Sequence, residues 1–408
     1  MNNRYRLRTN RQRPAAVLAL SCLMVGLAGC GDSRPPKQAA QAPQKENSEG
    51  GASPSAASQA ETGDRPRLKV AYLGLTCEAP IFVAQEQGFF DEEGLDVELV
   101  RTDWEGLREG LGLGRFDANH TLIMYLLKPI ESGLDVKITG GIHTGCLRLQ
   151  AATNSEIRTA ADLKGKKIGV PSHMGSPPYL FSSRVLSAAG IDPRPEKDEV
   201  TWEVYPPEVL GKAIQDGRVD AVATSDPIGT ILLGQGLVRN IADQAEDPPY
   251  SDEYCCAAVV SGKLAKENPV AAAKVTRALL KAAKWVGQNP ATAAKLAVEK
   301  KYTASSVEIN TQAIAKLKYL PGVSLCRASI DQAAEEMQRA GLLKPDTDPA
   351  ELAKRAWLDL DGVNDEWVGD IEVATVDDQG RPALLSPEEF AALFEGKSLC
   401  CGCCCLED

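Results

Sequence analysis

Hydrophobic and polar residues alternate in short stretches from residue 67 onward, and stretches with helical spacing lie between them. The first strand, predicted over residues 68–72, is followed by a helix over 81–87 and a second strand over 96–100. Further strands are predicted at 136–139, 147–151, 167–170, 202–205 and 219–223, and further helices at 105–113, 121–132, 177–189 and 208–216. Such repeated units predict an α/β fold with mainly parallel sheets between helices, and ligands at the carboxyl ends of the strands.

Past Gly262 the strands stop and helical spacing dominates. Val275, Leu279 and Ala282 recur at the spacing of one helix face, which predicts ordinary core packing. Helical patterns return at residues 330–340 and 349–358, so the C-terminal part of the fold is predicted to be helical. Residues 361–408 are expected to form an extension with a hairpin near 377–380, a short helix over 387–394 and a cysteine-rich end.

The N-terminus has the pattern of a secretory signal. Five arginines precede an apolar run over residues 15–27 that is short for a spanning helix. The run ends in Leu27-Ala28-Gly29-Cys30, which resembles the site where bacterial lipoproteins are lipidated on cysteine. We predict a signal peptide over 1–29, a lipidated Cys30 and a flexible linker to residue 66, which contains almost no large apolar side chain. The body then lies outside the cytoplasm, lipid-anchored at the cell membrane or in the periplasm.

Composition excludes several classes of function. The 408 residues carry 45 Lys and Arg against 56 Asp and Glu, a formal charge of −11 without a basic block in the body, so we predict no nucleic-acid partner. The chain contains no GxxxxGK[ST], HExxH or GxSxG motif, so we predict no ATPase, zinc protease or serine hydrolase site. The chain does contain 12 cysteines against three histidines.

Five segments occur in an order that resembles a known family of transport proteins. They are residues 69–100, 114–118, 162–170, 217–221 and 268–269. In this order, behind a lipoprotein signal, they resemble the periplasmic substrate-binding proteins of ABC importers for nitrate, sulfonates, taurine and pyrimidine precursors, the NitT/TauT family. The resemblance covers roughly residues 67–360.

The resemblance implies a two-lobed periplasmic-binding-protein fold and a function in solute import. Lobe one is expected over 67–153 plus 254–360, and lobe two over 154–253. The implied partners are an ABC transporter permease, its ATPase subunit and a small solute such as an anion, a sulfonate, a pyrimidine-like compound or an organometal. Fungal pyrimidine-precursor synthases share this fold, which leaves an enzyme as a remote alternative. No lysine adjoins the predicted cleft loops, so we predict that the chain is not an enzyme.

The histidines and most body cysteines fall where the cleft is expected. All three histidines and four of the five body cysteines map to loops at predicted strand ends, and Cys326 is the exception. The seven are Cys77, His120, His143, Cys146, His173, Cys255 and Cys256. Thiolate and imidazole bind soft and borderline metals, which favours a thiophilic metal or organometal ligand. Structural disulfides, such as Cys77–Cys146 or a vicinal Cys255–Cys256 pair, and inert or redox-active thiols are the alternatives.

An oxyanion ligand would use other residues. Ser176 and Ser225 precede predicted helices, where backbone N–H groups and hydroxyls suit nitrate, sulfonate or phosphate. Glu78 and Asp226 would repel an anion and favour a zwitterion or cation. With Thr121, these residues complete the predicted ligand-binding set.

Five cysteines lie close together near the C-terminal end of the sequence. Cys400, Cys401, Cys403, Cys404 and Cys405 are too close together for all of them to form ordinary disulfides among themselves. They are candidate ligands for a soft metal, and disulfides to the cleft or to another chain are the alternative. We predict no other cofactor.

Overall fold

A computed structural model describes residues 65–376. The strands in this part of the chain are β1 (Arg67–Tyr72), β2 (Asp96–Arg101), β3 (Ala118–Leu122), β4 (Val136–Thr144), β5 (Leu147–Ala152), β6 (Lys167–Pro171), β7 (Thr201–Tyr205), β8 (Ala221–Ser225), β9 (Val238–Asp243) and β10 (Tyr254–Ser261). The predicted signal peptide, Cys30, most of the linker, the predicted elements at 377–380 and 387–394 and the five tail cysteines lie outside the described residues.

Fourteen α-helices accompany these strands between residues 65 and 376. They are α1 (Ala79–Glu86), α2 (Phe89–Glu92), α3 (Trp104–Gly112), α4 (Ile123–Glu131), α5 (Pro177–Ala188), α6 (Leu210–Gln215), α7 (Ile228–Gly234), α8 (Gly262–Glu267), α9 (Pro269–Gln288), α10 (Pro290–Glu299), α11 (Val307–Lys316), α12 (Ser324–Arg339), α13 (Pro349–Ala356) and α14 (Asp365–Asp370). None of them is both long and apolar enough to cross a membrane.

The strands form two five-stranded sheets with the same plan. The first has the order β2-β1-β3-β10-β4 and the second has the order β7-β6-β8-β5-β9. In each sheet the fourth strand is antiparallel to both of its neighbours, and the first three strands are parallel. The α/β class is therefore confirmed, and each sheet is mixed.

The two antiparallel strands come from the two places where the chain crosses between sheets. β4 of the first sheet leads directly into β5 of the second, and β9 of the second leads back into β10 of the first. We call the region of the first sheet the first lobe (65–145 and 254–376) and that of the second sheet the second lobe (146–253). The predicted lobe boundary at residue 153 was too late, because β5 forms its ladders with β8 and β9.

The core of the first lobe explains the helix-rich C-terminal half. α9 packs against α1 and β4, and Trp285, Val286 and Leu279 on it are buried. The start of the predicted C-terminal extension also packs here, since Val368 and Ile371 are buried and Asn289 hydrogen-bonds to the backbone of Ala374 and Val376. Residues 361–376 therefore complete the first lobe.

Candidate functional site

Four cysteines and a histidine meet where the first lobe faces the second. The ligand atoms of Cys77, His143 and Cys256 lie within 4.8 Å of one another, and the sulfurs of Cys146, Cys255 and Cys256 form a second such group. We call these five residues the thiol cluster. All five are buried, with at most 6% of the residue exposed. The topology brings them together because β1 and β4 end, and β10 begins, at one edge of the first sheet.

The strand β10 supplies two adjacent sulfurs. Neighbouring side chains of a regular strand point to opposite faces, so Cys255 and Cys256 would normally diverge. The register of β10 against β4 is irregular between Tyr254 and Cys256 and again between Cys256 and Ala257. Such irregularities re-aim side chains, and the two Sγ atoms lie 3.9 Å apart.

The crossover from β4 to β5 supplies the third sulfur of the second group. Gly145 has φ +77°, and a Cβ there would lie 2.6 Å from the Cβ of Ala245, so only glycine fits. The next residue, Cys146, has φ +118°, which is strained for a residue with a side chain. Its Sγ lies 3.0 Å from the Sγ of Cys255. The five cysteines between residues 65 and 376 carry free thiols, so the predicted Cys77–Cys146 and Cys255–Cys256 disulfides are not formed in this structure.

The imidazoles bring unpaired nitrogens into the cluster. Nδ1 of His143 lies 3.0 Å from the backbone oxygen of Thr144, while its Nε2 has no hydrogen-bond partner among the described residues. An Nδ1–H donated to that carbonyl leaves the lone pair of Nε2 free. The His120 ring lies 5.1 Å from the His143 ring, and neither of its nitrogens has a partner in the described chain. Burial, and then the charge of His143, hold the pKa of His120 well below its usual value, so His120 is neutral.

One thiol of the cluster ionises much more readily than the others. Burial opposes ionisation of Cys255, but hydrogen bonds from Cys146 and Cys256 outweigh it and lower the pKa of Cys255 to about 7. Burial, with a hydrogen bond to Cys255, raises the pKa of Cys146 to about 11. The pKa of Cys256 is also raised by burial, and the pKa of Cys77 is raised by its hydrogen bond to Cys146. Cys255 is therefore the thiol of the cluster that loses its proton first as the pH rises.

Glu78 shapes the loop that carries Cys77. Its carboxylate accepts backbone N–H bonds from Leu73, Gly74 and Leu75 at 2.7–3.0 Å. Burial and the neighbouring Cys77 raise the pKa of Glu78 to about 8, although the three N–H donors oppose this shift. The sequence predicted a ligand contact for Glu78, and the structure places its carboxylate on the loop backbone.

The second lobe closes over the cluster and leaves a small cavity between the lobes. A cavity of about 20 Å³ is lined from the first lobe by Leu75, Cys77, Trp104 and Leu122, and from the other side by Cys146, Leu147, Pro177, Pro178, Ser225 and Asp226. In this closed form the cavity has room for about one water molecule or ion, well below the volume of a typical small-molecule site. Two of the thiols and the predicted residues Ser225 and Asp226 therefore share one enclosed space.

A carboxylate oxygen in this cavity lacks a partner. Oδ1 of Asp226 accepts hydrogen bonds from Nη1 of Arg148 at 2.7 Å and from the hydroxyl of Thr230 at 2.7 Å. Its Oδ2 is buried without a partner among the described residues. Arg148 also donates to Asp243 at 2.8 Å, so two buried carboxylates balance one guanidinium. The group formed by Arg148, Asp226 and Asp243 therefore carries a net charge of −1.

The predicted oxyanion donors are weaker than the sequence indicated. Ser176 is buried at the start of α5, but the next two residues are Pro177 and Pro178, which have no N–H group to offer an anion. At the start of α7, Asp226 already accepts the N–H of Thr230 at 3.1 Å. Both helix starts thus offer fewer free donors than an anion site requires.

The structure separates some predicted residues from the cluster. His120 lies within β3 and His143 within β4, so both were wrongly placed in loops, and Thr121, which was predicted to begin a helix, lies in β3. His173 is half-buried in a different groove, beside Arg108, Met174 and Tyr179, and in neither cysteine group. Cys326 is buried in α12, as an isolated core thiol.

Sequence reasoning missed two residues next to the site. The hydroxyl of Tyr319 donates to the backbone oxygen of Cys77 at 3.2 Å, and its ring lies 4.9 Å from the His143 ring. It lies in an irregular segment between α11 and α12, where no pattern singled it out. Arg148 did leave a signal, because a charged residue in the otherwise uncharged strand Leu147–Ala152 needs a buried partner.

Two sheets, each with one antiparallel strand that follows a crossover from the other sheet, and a cavity between the sheets define the two-lobed class of periplasmic-binding-protein folds. The aliphatic sulphonate binding protein SsuA of Escherichia coli has this fold: 72% of the present chain and 98% of that chain superpose with a TM-score of 0.60 at 18% identity. Residues 61–299 match the NMT1-like family. The chain belongs to this family, so the resemblance noted in the sequence is confirmed.

Curated relatives of the chain include binding proteins and enzymes. A nitrate/nitrite binding protein, NrtA of Nostoc sp., is 24% identical over 291 residues, which is 65% of each chain. A 4-amino-5-hydroxymethyl-2-methylpyrimidine phosphate synthase of Saccharomyces cerevisiae is 25% identical over 237 residues, 53% of this chain and 65% of the relative. The chain thus spans slightly less than two thirds of the length of these relatives.

Proposed function

We propose that this chain is the solute-binding component of an ABC importer, which captures a small ligand between its lobes and delivers it to a membrane permease. The observation that carries the proposal is the small cavity of about 20 Å³ that remains between two lobes joined by two strand crossovers. Two crossovers suit a hinge, because a few terminal residues of β4, β5, β9 and β10 can absorb the rotation that opens the cavity.

A binding role fits this cavity better than catalysis. The cavity-lining residues include two thiols and one carboxylate, but no lysine. Both histidines of the first lobe are buried in its strands, and His120 is held neutral. Asp226 is the one carboxyl group of the lining, and it is already bonded to Arg148 and Thr230, which favours a binding role over the synthase-like alternative.

We also propose that the protein works outside the cytoplasm on a lipid anchor at Cys30. The proposal rests on the signal pattern ending in Leu27-Ala28-Gly29-Cys30 and on the polar linker that follows it. The Cys30→Ala variant, expressed in a bacterium that processes lipoproteins, should lose incorporation of labelled palmitate and shift from the processed to the precursor mass. Unchanged labelling would disprove the anchor.

The importer function is tested by capture of the transporter. The full chain, with a photo-crosslinking amino acid at exposed Met174 or Val204 on the second lobe, is expressed in its own host and irradiated. We expect crosslinked peptides from a multi-spanning permease with its ATPase subunit. A matched probe at exposed Leu325 on the first lobe samples the other lobe's surface. Absence of any transporter from all three probes contradicts the importer function.

A further inference from the structure

We propose that the ligand of the cleft is a thiophilic divalent metal ion, bound by Cys77, His143 and Cys256. This inference rests on the proposed solute-binding function and names the chemical class of its ligand. It assigns the ion to the thiol cluster, with the Cys146–Cys255 pair as a neighbour that assists its binding.

The donor atoms are already gathered for an ion. The three ligand atoms lie within 4.8 Å of one another although they come from three separate elements. Tetrahedral zinc with a metal–sulfur bond of about 2.3 Å has ligands roughly 3.8 Å apart. Small side-chain rotations are therefore enough to close the three donors around one ion.

The orientation of His143 matches that of a metal ligand. Metal-bound histidines usually donate their other ring N–H to a carbonyl or carboxylate, which fixes the ring. His143 has this arrangement through Nδ1 and the backbone oxygen of Thr144, 3.0 Å away, while Nε2 is buried and unpaired in the described structure. An unpaired buried nitrogen costs free energy unless a ligand occupies it.

Charge selects a cation over an anion. Asp226 lines the cavity and has a buried oxygen without a partner among the described residues, and two carboxylates flank Arg148, whose Nη2 is likewise unpaired there. An anion would meet this net negative surface and two proline-blocked positions at the start of α5. Two thiolates, one neutral imidazole and a divalent ion sum to zero charge, the favourable state in a buried site.

Binding of an ion releases protons from the thiol cluster. Cys256 donates its S–H toward Cys255 across 3.9 Å. Cys77 and Cys256 bind an ion as thiolates, so each sulfur that binds gives up its proton, to solvent or to a neighbouring sulfur. The affinity for the ion therefore falls as the pH is lowered.

The test measures metal binding directly in the full chain. The reference protein keeps Cys77, Cys146, Cys255, Cys256 and Cys326 and has serine at the other seven of the 12 cysteines, which removes the tail as a competing site. Reduced protein is titrated with Cd²⁺, whose thiolate bonds give an ultraviolet charge-transfer absorption, and with Zn²⁺ against a chromophoric chelator. We expect one ion per chain and an affinity that falls as the pH is lowered, because the binding thiols must lose their protons.

Five variants, one of them a control outside the cluster, are expected to change the metal affinity to different extents. Cys256→Ser and Cys77→Ser should each weaken binding by more than about 100-fold, and Cys146→Ser, which only assists, by about 10–100-fold. Cys326→Ser, which removes a buried thiol outside the cluster, should change nothing. His143→Gln should reduce affinity without abolishing the sulfur–cadmium absorption. Thermal unfolding of each variant shows whether it is folded, and only folded variants are compared.

Three outcomes overturn the inference. They are no stoichiometric binding to the folded reference protein, equal affinity in Cys256→Ser and Cys326→Ser, or isolation from the cell envelope with Cys146 and Cys255 bridged by a disulfide that zinc does not prevent. If a transporter is captured by crosslinking but no ion binds, the importer function stands and only the metal assignment fails. If an ion binds but no transporter is captured, the importer function fails.

Discussion

Two buried polar clusters lie at the boundary between the lobes, and they differ in kind: ion pairs hold one together, whereas the other contains thiols and imidazole nitrogens without an oppositely charged partner. In the first, Arg184 on α5 of the second lobe bonds Glu253 and, across the boundary, Glu336 on α12 at 2.6–3.0 Å. In the thiol cluster, His143 and the adjacent His120 retain unpaired nitrogens among the described residues. Paired charges hold a structure together, whereas unpaired buried donors and acceptors are stabilised by a ligand.

The largest effect on stability is expected when the cluster of Arg184, Glu253 and Glu336 is broken. Arg184→Met leaves Glu253, whose side chain is 3% exposed, buried without its cation, and leaves Glu336, 17% exposed, with only its longer contact to Arg339. We expect a loss of about 3–5 kcal/mol in the free energy of unfolding, measured by urea denaturation at neutral pH. The same change should expand the protein in small-angle scattering, since Arg184 joins the two lobes.

A matched control separates this effect from ordinary loss of an ion pair. Arg339 also contacts Glu336, at 3.8 Å, but 67% of its side chain is exposed. Arg339→Met should cost about 0–1 kcal/mol. Adding Glu253→Gln and Glu336→Gln to Arg184→Met should recover most of the loss, because the uncompensated charges are then gone. Equal losses for the two arginines would refute the assigned role of Arg184.

A smaller effect on the free energy of unfolding at neutral pH is expected from Glu78, which lies next to the thiol cluster. The pKa of Glu78 is about 8 in the folded protein, against an ordinary value of 4.5. Between these two pH values the folded protein therefore keeps a proton that the unfolded chain has lost. The contribution to stability is therefore complete below about pH 4.5 and is lost as the pH rises through about 8. Glu78→Gln should flatten this decline in a series of urea unfolding curves. A decline of the same slope in both proteins contradicts the raised pKa.

The smallest effect is expected at the strained residue of the thiol cluster. Cys146 has φ +118°, a conformation that glycine adopts at little cost. Cys146→Gly should therefore be more stable than Cys146→Ala by about 1 kcal/mol, although both remove the same sulfur. The pair is compared by thermal unfolding of the reduced proteins. If alanine is the more stable of the two, strain at Cys146 is not significant.

The candidate site was only partly predictable. Cys77, Cys146, Cys255 and Cys256 were expected to meet because strand-end positions of an α/β fold lie at one edge, and the structure does bring these four thiols together. His173 was expected with them, but it lies in another groove. The convergence of Cys255 and Cys256 depends on two register irregularities in β10, and these arise from its pairing with β4.

The sequence by itself determined the family, the α/β class and the order of the elements. Hydrophobic periodicity and the order of motifs are local properties, so both can be recognised directly in the sequence. Only the tertiary structure decided that the lobe boundary precedes Leu147, since strand exchange depends on which sheet offers a partner. The tertiary structure alone also joined Arg184 to Glu336, which lie 152 residues apart. Pairing between distant residues leaves no local pattern, so the balance of charge in the closed cleft had to be taken from the folded chain.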